Sequence, residues 1–179
     1  MLDSLKYKGV ITVNKFRGAT VERGDNGKWR HIPGTGELIE SITQDNVFLN
    51  VGKSWAIQRL FDDTASVVSG TAAQYFYVGT TTSGGAAAAG DTTAQCTFAS
   101  GGQATFTYAS GAVGAMSGTA TFITSTANGA ITEAGIFAGI PANAPLTTGD
   151  GVFIARVLFA AINKTSSDTL QVKWDVSIA

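Results

Sequence analysis

The chain holds one histidine, one cysteine and thirteen carboxylate side chains, so any chemistry it performs draws on a short set of groups. A single histidine excludes a multi-histidine metal centre and makes any Ser-His-Asp triad depend on His31. No Gly-x-Ser-x-Gly elbow occurs to supply the nucleophile, and His31, beside Trp29 and Arg30, reads as a surface or packing residue. Asp62-Asp63 and Glu133 are the carboxylates to test for acid-base work. The first two end the one expected helix, where a polar exit is reason enough for them. No carboxylate pair has a readable spacing for glycoside hydrolysis, although strands can bring distant ones together. Cys96 alternates with Ala94 and Phe98, the pattern of a buried core thiol rather than a reactive one. Alone, it can form neither an internal disulfide nor a thiolate cluster.

Three short motifs resemble functional signatures. Gly52-Lys53-Ser54 matches the end of a phosphate-binding loop, but the required earlier glycine is replaced by Val47. The first turn of a short helix accounts for it. Arg23-Gly24-Asp25 matches an adhesion tripeptide, while Gly24-Asp25-Asn26-Gly27 has an adequate role as a hairpin turn. Asn163-Lys164-Thr165 is a glycosylation acceptor pattern only if the chain is secreted.

The elements that would position these groups are strands. From Thr169 to Ile178, Leu170, Val172, Trp174, Val176 and Ile178 alternate with Gln171, Lys173, Asp175 and Ser177. This is the period of a strand with one dry face and one wet face. Val152 to Ala160 alternates likewise, and the polar link to the last strand predicts that the two pair antiparallel. Asn128-Gly129 predicts a hairpin joining Thr119–Thr126 to Ala130–Phe137, and Ala99-Ser-Gly-Gly102 a second one. Tyr7 to Lys15 and Tyr75 to Thr80 read as further strands. Val51 to Asp62 is the one helix, with Ala56, Ile57, Leu60 and Phe61 on a face and Asn50 as its cap. About nine short strands with turn signals predict an all-β fold, an antiparallel β-sandwich or barrel-like domain with one short helix. Residues 1–49, more charged and cut off by Pro33, Gly34 and Gly36, are expected to form an extended N-terminal β arm, and residues 50–179 the sandwich, closed by the C-terminal strand.

Composition narrows the function classes. At 179 residues the chain suits one domain able to bury roughly 70% of its unfolded surface. Charged residues are 14%, against about 25% in an average soluble domain. With net charge -1 and no basic run, there is no electrostatic footprint for nucleic acid or an anionic membrane. No apolar run reaches the length of a membrane span and no signal-peptide core opens the chain. A soluble product made in a cytoplasm, with protein partners, is expected. Nothing in the residue pattern calls for a metal or cofactor.

The blocks Ile131-Thr-Glu-Ala-Gly-Ile-Phe137, Phe153-Ile-Ala-Arg-Val-Leu-Phe159 and Asn163-Lys-Thr-Ser-Ser-Asp-Thr-Leu170, followed by Val172-Lys-Trp174, resemble a pattern of small structural proteins of tailed bacteriophages. The opening Met-Leu-Asp-x-Leu-Lys, the Gly-x-Ile-x-Val strand and Asn50-Val-Gly52 are similar as well. The resemblance implies a non-enzymatic virion component made in a bacterial cytoplasm, with other virion proteins, the major capsid protein or tail proteins, as partners. Within the motif, Glu133 shares a face with Ile131 and Phe137 in an unbroken strand. An unpaired buried carboxylate is costly, so it is expected to meet Arg156 or backbone amides. Gly135 is expected to mark a bulge or close approach, and Trp174 anchors the last strand.

A capsid decoration or cement protein is the first expectation, its N-terminal arm reaching neighbours through Leu2, Leu5, Tyr7, Ile11, Val13 and Phe16. A homo-oligomer is expected, a trimer by analogy with the threefold positions of shells. The alternative is a tail, collar or fibre component, an attachment module for host glycan; Tyr75, Tyr77 and Tyr108 are the available rings, but all sit in strand patterns that more often place them in a core. An envelope depolymerase ranks third, for want of a nucleophile and base.

Overall fold

The computed structural model describes residues 7–24, 27–54, 73–80, 86–92, 94, 96–105, 107–110, 115–139 and 151–178. Leu2, Leu5, Asp62, Asp63 and most of the expected helix lie outside the described residues. The sequence's strand signals become two five-stranded antiparallel sheets stacked on a common core, an all-β sandwich whose sheets do not close on each other. The first sheet has the order β4 (Glu37–Asp45), β1 (Tyr7–Arg17), β12 (Asp168–Ile178), β9 (Ala115–Phe122) and β8 (Thr107–Ser110). The second has the order β5 (Val47–Phe48), β11 (Gly151–Lys164), β10 (Gly129–Gly139), β6 (Ala73–Thr80) and β7 (Thr97–Thr105). A small ribbon pairs β2 (Val21–Arg23) with β3 (Trp29–His31), and beside it the Gly24 N–H donates to Lys28 O at 2.9 Å.

Alternation places the core as expected. Leu170, Val172 and Trp174 of β12 face Phe76 and Val78 of β6 and Ile136 of β10 across the sandwich, all buried. Burying each such side chain contributes about 1.5–3 kcal/mol, so this stack is the main source of cohesion. The Trp174 and Phe76 rings lie 5.8 Å apart in a tilted contact.

Connectivity differs from the sequence expectation in a consistent way. β11 and β12 do not pair, and neither do β9 and β10. Each of these links is an arch that carries the chain from one sheet to the other, so consecutive strands meet through side chains rather than backbone hydrogen bonds. Both strands of each pair carry an apolar face, and an arch lets those faces oppose each other, whereas a hairpin would lay them side by side. The β11–β12 arch is fixed by Asp168, whose Oδ2 accepts from the Thr165 N–H at 2.9 Å and Oγ1 at 2.7 Å. The β9–β10 arch has Gly129 at φ 133°, a value open to glycine, and Ala127 at φ 53°, which a residue with a Cβ adopts uncommonly. The expected turn at residues 99–102 is also absent, because that run lies inside β7.

The expected break at residue 49 is crossed by strand pairing. β1 pairs with β12 from Tyr7↔Ile178 to Arg17↔Asp168, and β5 pairs with β11. Held between β4 and β12, β1 turns Ile11 and Val13 into the core, where both are 0% exposed. The expectation that these two contact a partner is thereby corrected. At the corner where the chain passes from β4 to β5, the Asn46 N–H donates to Gly9 O at 3.0 Å. The helix begins at residue 50, and Lys53 N bonds to Leu49 O at 3.0 Å. Leu49, not Asn50, is therefore its capping position.

Candidate functional site

The resemblance motif converges on the outer face of the second sheet, around a buried carboxylate. Of the register shifts along β10, the first puts it there. One extra residue, Thr132, enters between Ile131 and Glu133 where β6 advances by one, from Thr80 to Gly79. A bulge shifts the alternation by one position, so Ile131 stays in the central core while Glu133 and Phe137 point to the opposite face. The expected common face of Ile131 and Glu133 is thus broken by Thr132. The second irregularity, between Ile136 and Phe137, leaves Ile154 of β11 without a partner across the ladder. The Ile154 carbonyl accepts instead from the Leu49 N–H at 2.9 Å.

Glu133 is 0% exposed and Arg156 1%. Arg156 Nη2 donates to Glu133 Oε2 at 2.9 Å, and the Tyr77 hydroxyl donates to Oε1 at 3.0 Å. Arg156 Nη1 donates to Asp91 Oδ2, which also accepts from the Ala88 N–H at 3.0 Å. Three neighbouring strands, β6, β10 and β11, are thereby cross-braced by side chains, and the loop at residues 86–92 is clamped over them. Asn50 N–H donates to Ala89 O at 2.8 Å, which ties the helix start to the same loop. Leu49, Tyr77, Phe137 and Phe153 form an apolar layer around the charges, with Phe153 edge-on to both rings at 5.7 and 5.2 Å.

Glycine is required at two points of this layer. A Cβ on Gly135 would stand 2.2 Å from the Tyr77 ring, so Gly135 is the seat of that ring, a close approach rather than a bulge. A Cβ on Gly52 would stand 2.5 Å from Ile154 O. The glycine of Gly52-Lys53-Ser54 thus serves to dock the helix start on β11, and its sequence likeness to a phosphate loop has a packing cause.

Burial and the Glu133 charge push Tyr77 well above the usual phenol range. The same two causes raise the Cys96 thiol to about 12. Burial would lower Arg156, but its hydrogen bonds and attraction to Glu133 and Asp91 hold it raised. Burial raises Asp91, and the Ala88 amide with Arg156 more than offsets this, leaving it lowered. Each charge has an opposite partner, as a dry interior demands. The cluster can hold strands in register, whereas acid-base work would need an approach to Glu133, both of whose oxygens are already engaged.

The remaining candidates separate from this cluster. His31 is 9% exposed, stacks on Phe16 with ring centroids 4.3 Å apart, and has Nε2 2.8 Å from Thr35 O. It packs the ribbon against the first sheet. Cys96 is half-buried in the outer apolar layer beside Gly79. Trp174 lies in the central core, away from the Glu133 face. Arg23 donates from Nε to Gly27 O at 2.9 Å, so its guanidinium braces its own turn.

A second polar knot, missed in the sequence, holds the arches. Lys164 is 2% exposed and its Nζ donates to Asn128 Oδ1 at 2.8 Å and Ile123 O at 3.0 Å. Burial lowers its pKa to about 8 despite the nearby Asp168 charge. Arg17 Nε reaches Asp168 Oδ1 at 3.3 Å. The signal available beforehand was the lysine in the Asn163-Lys-Thr-Ser-Ser-Asp turn. Its burial depends on the β9–β10 arch lying alongside, which no local pattern announces.

A recess of about 340 Å³ on the first sheet is bordered by Lys8, Ser117, Asp175 and Ser177. Asp175, its acidic member, is already engaged by Ser117 Oγ and by Lys173 Nζ at 3.0 Å. Among the described residues no three of His, Cys, Asp and Glu gather to hold a metal ion. No protein-family model matches the sequence, and no curated protein or solved structure is significantly similar to it.

Proposed function

We propose that the protein is a non-enzymatic structural component of a tailed-phage virion, a capsid decoration or cement protein that binds the shell and stabilises it. The observation that carries this reading is the fate of the motif behind the resemblance. Its Glu133 and Arg156 meet each other at 2.9 Å inside the fold, and a motif spent on bracing strands supports a structural role. A sandwich from a chain with 14% charged residues and a net charge of -1 suits close packing on a repeating protein lattice, where many copies share each load. Its partners would be the major capsid protein and other copies of itself, a trimer at a threefold position being the expected assembly.

Electron cryo-microscopy of particles from the phage that carries the gene tests this. Density for the sandwich repeated over the whole shell is the expected result. Density confined to one vertex or to the tail overturns the decoration role and moves the protein to the tail, collar or fibre. Release of sugar from host envelope polysaccharide by the purified protein would overturn the non-enzymatic reading.

A further inference from the structure

Among the described residues the exposed large apolar side chains fall within eleven positions: Trp29 at 40%, Leu38 at 53% and Ile39 at 36%. Leu38 and Ile39 open β4, an outer strand of the first sheet. Leu38 lies across from Phe16, Phe16 stacks on His31, and Trp29 follows on the same side of β3. A strip of apolar and aromatic side chains therefore borders the start of β4. At nine residues β4 has few of the devices that normally blunt a sheet edge: it carries no proline and no lysine, though the register with β1 shifts at Ile39. Of the other outer strands among the described residues, β5 has two residues, β8 four and β7 nine, but β7 carries no charge to select a partner and its register with β6 is broken between Tyr77 and Gly79.

The charges of β4 are Glu37, Glu40 and Asp45, all acidic. Glu40 is paired with Lys15 Nζ at 2.9 Å, whereas Glu37 and Asp45, one at each end, make no ion pair among the described residues. Antiparallel pairing of β4 with its own copy about Ser41 would set Glu37 against Asp45 at both ends, which is repulsive. A strand with a basic residue at each end would instead meet a carboxylate at both.

We infer that the side of β4 left unpaired among the described residues is a docking edge for an extended segment of a partner protein, apolar in its middle and basic at both ends, which adds as a sixth strand to the first sheet. Backbone hydrogen bonds supply the register, the strip from Leu38 to Trp29 takes apolar anchors, and the terminal acids select the partner by charge. The inference deepens the shell-binding role and rests on it, since it names the surface and the chemistry through which the protein would be held.

The test uses the full chain and an acetylated nine-residue peptide, lysine at each end with alternating threonine and valine between. The control peptide has glutamate in place of both lysines. Amide exchange read by NMR is expected to slow at least about tenfold in β4 with the lysine peptide, with affinity falling as salt rises from 50 to 500 mM, roughly a threefold shortening of the screening length. The double variant Glu37→Lys, Asp45→Lys, changed at two exposed positions, is expected to prefer the glutamate peptide. Equal binding of both peptides, protection elsewhere in the fold, or no binding overturns the inference. So does protection of β4 in the absence of peptide together with a dimer that Leu38→Lys disperses, because a second copy would then own the edge. On particles the two readings fail separately. A wild-type protein that does not coat the shell sinks the proposed function, and a double variant that coats it as well as wild type sinks only the docking edge.

Discussion

Replacing Glu133 with Gln is the sharpest probe of the brace, because the side chain keeps its shape and loses only its charge. Glu133 accepts two hydrogen bonds, from Arg156 at 2.9 Å and Tyr77 at 3.0 Å. Gln retains one oxygen, which must face Arg156, since two donors face to face would repel. Its amide nitrogen then meets the Tyr77 hydroxyl, which can rotate to accept. The bond to Arg156 falls from a charge-assisted one, about 1.5–3 kcal/mol, towards the neutral value of about 1 kcal/mol. Arg156 is left balanced by Asp91 alone, so a net loss of about 2 kcal/mol is expected. At about 2–4 °C per kcal/mol for a chain of this length, the melting temperature should fall about 4–8 °C. Glu133→Ala strands the guanidinium and leaves a hole, and should cost about 4 kcal/mol. Tyr77→Phe removes one donor and should cost about 1 kcal/mol, with a less than additive effect beside Glu133→Gln. Thermal unfolding followed by circular dichroism reads all four. If Glu133→Gln melts within about 1 °C of wild type, the cluster bears none of the fold's stability and the reasoning fails.

Gly135→Ala should destabilise by about 3 kcal/mol in urea unfolding, because its Cβ would meet the Tyr77 ring at 2.2 Å in a closed layer; an unchanged midpoint would mean the ring has room to move. With its pKa raised to about 12, Cys96 should alkylate about a thousandfold more slowly at pH 8 than a thiol at 9.0, and denaturant should abolish the difference. Lys164, lowered to about 8 in the fold from 10.5, carries a charge that folding disfavours. The unfolded chain then binds more protons between those two values, so stability rises with pH across that window. Relative to Lys164→Met, wild type should gain about 2 kcal/mol from pH 8 to pH 10; a constant difference would place the Lys164 ammonium in water.

How much of this was legible depends on the range of the interaction. The dry face of β12 could be read from alternation, because side chains flip sides at every residue of an extended chain, whereas the burial of Ile11 and Val13 in β1, two residues expected to contact a partner, depends on β4 and β12 enclosing that strand. The Glu133–Arg156 contact was also within reach, since a carboxylate in an apolar strand needs a cation and the neighbouring strand carried one. The face on which they meet was not, because the Thr132 bulge depends on how β6 and β10 share their hydrogen bonds. The hairpin signals misled for a related reason. Asn128-Gly129 specifies a reversal of direction, and an arch reverses direction as well as a hairpin does.

By itself, then, the sequence determined which stretches would extend, that the chain would reverse direction at Asn128-Gly129 and before Asp168, and which side of β12 would be dry. The tertiary structure alone decided the partners: β1 with β12 across more than 150 residues, Arg156 with Asp91 as well as Glu133, Lys164 with the neighbouring arch, and β4 as an outer strand among the described residues. Local signals act over two to four residues, whereas the choice of partner is made by whichever distant surfaces bury the most apolar area without stranding a charge. That comparison exists only once the whole chain has folded.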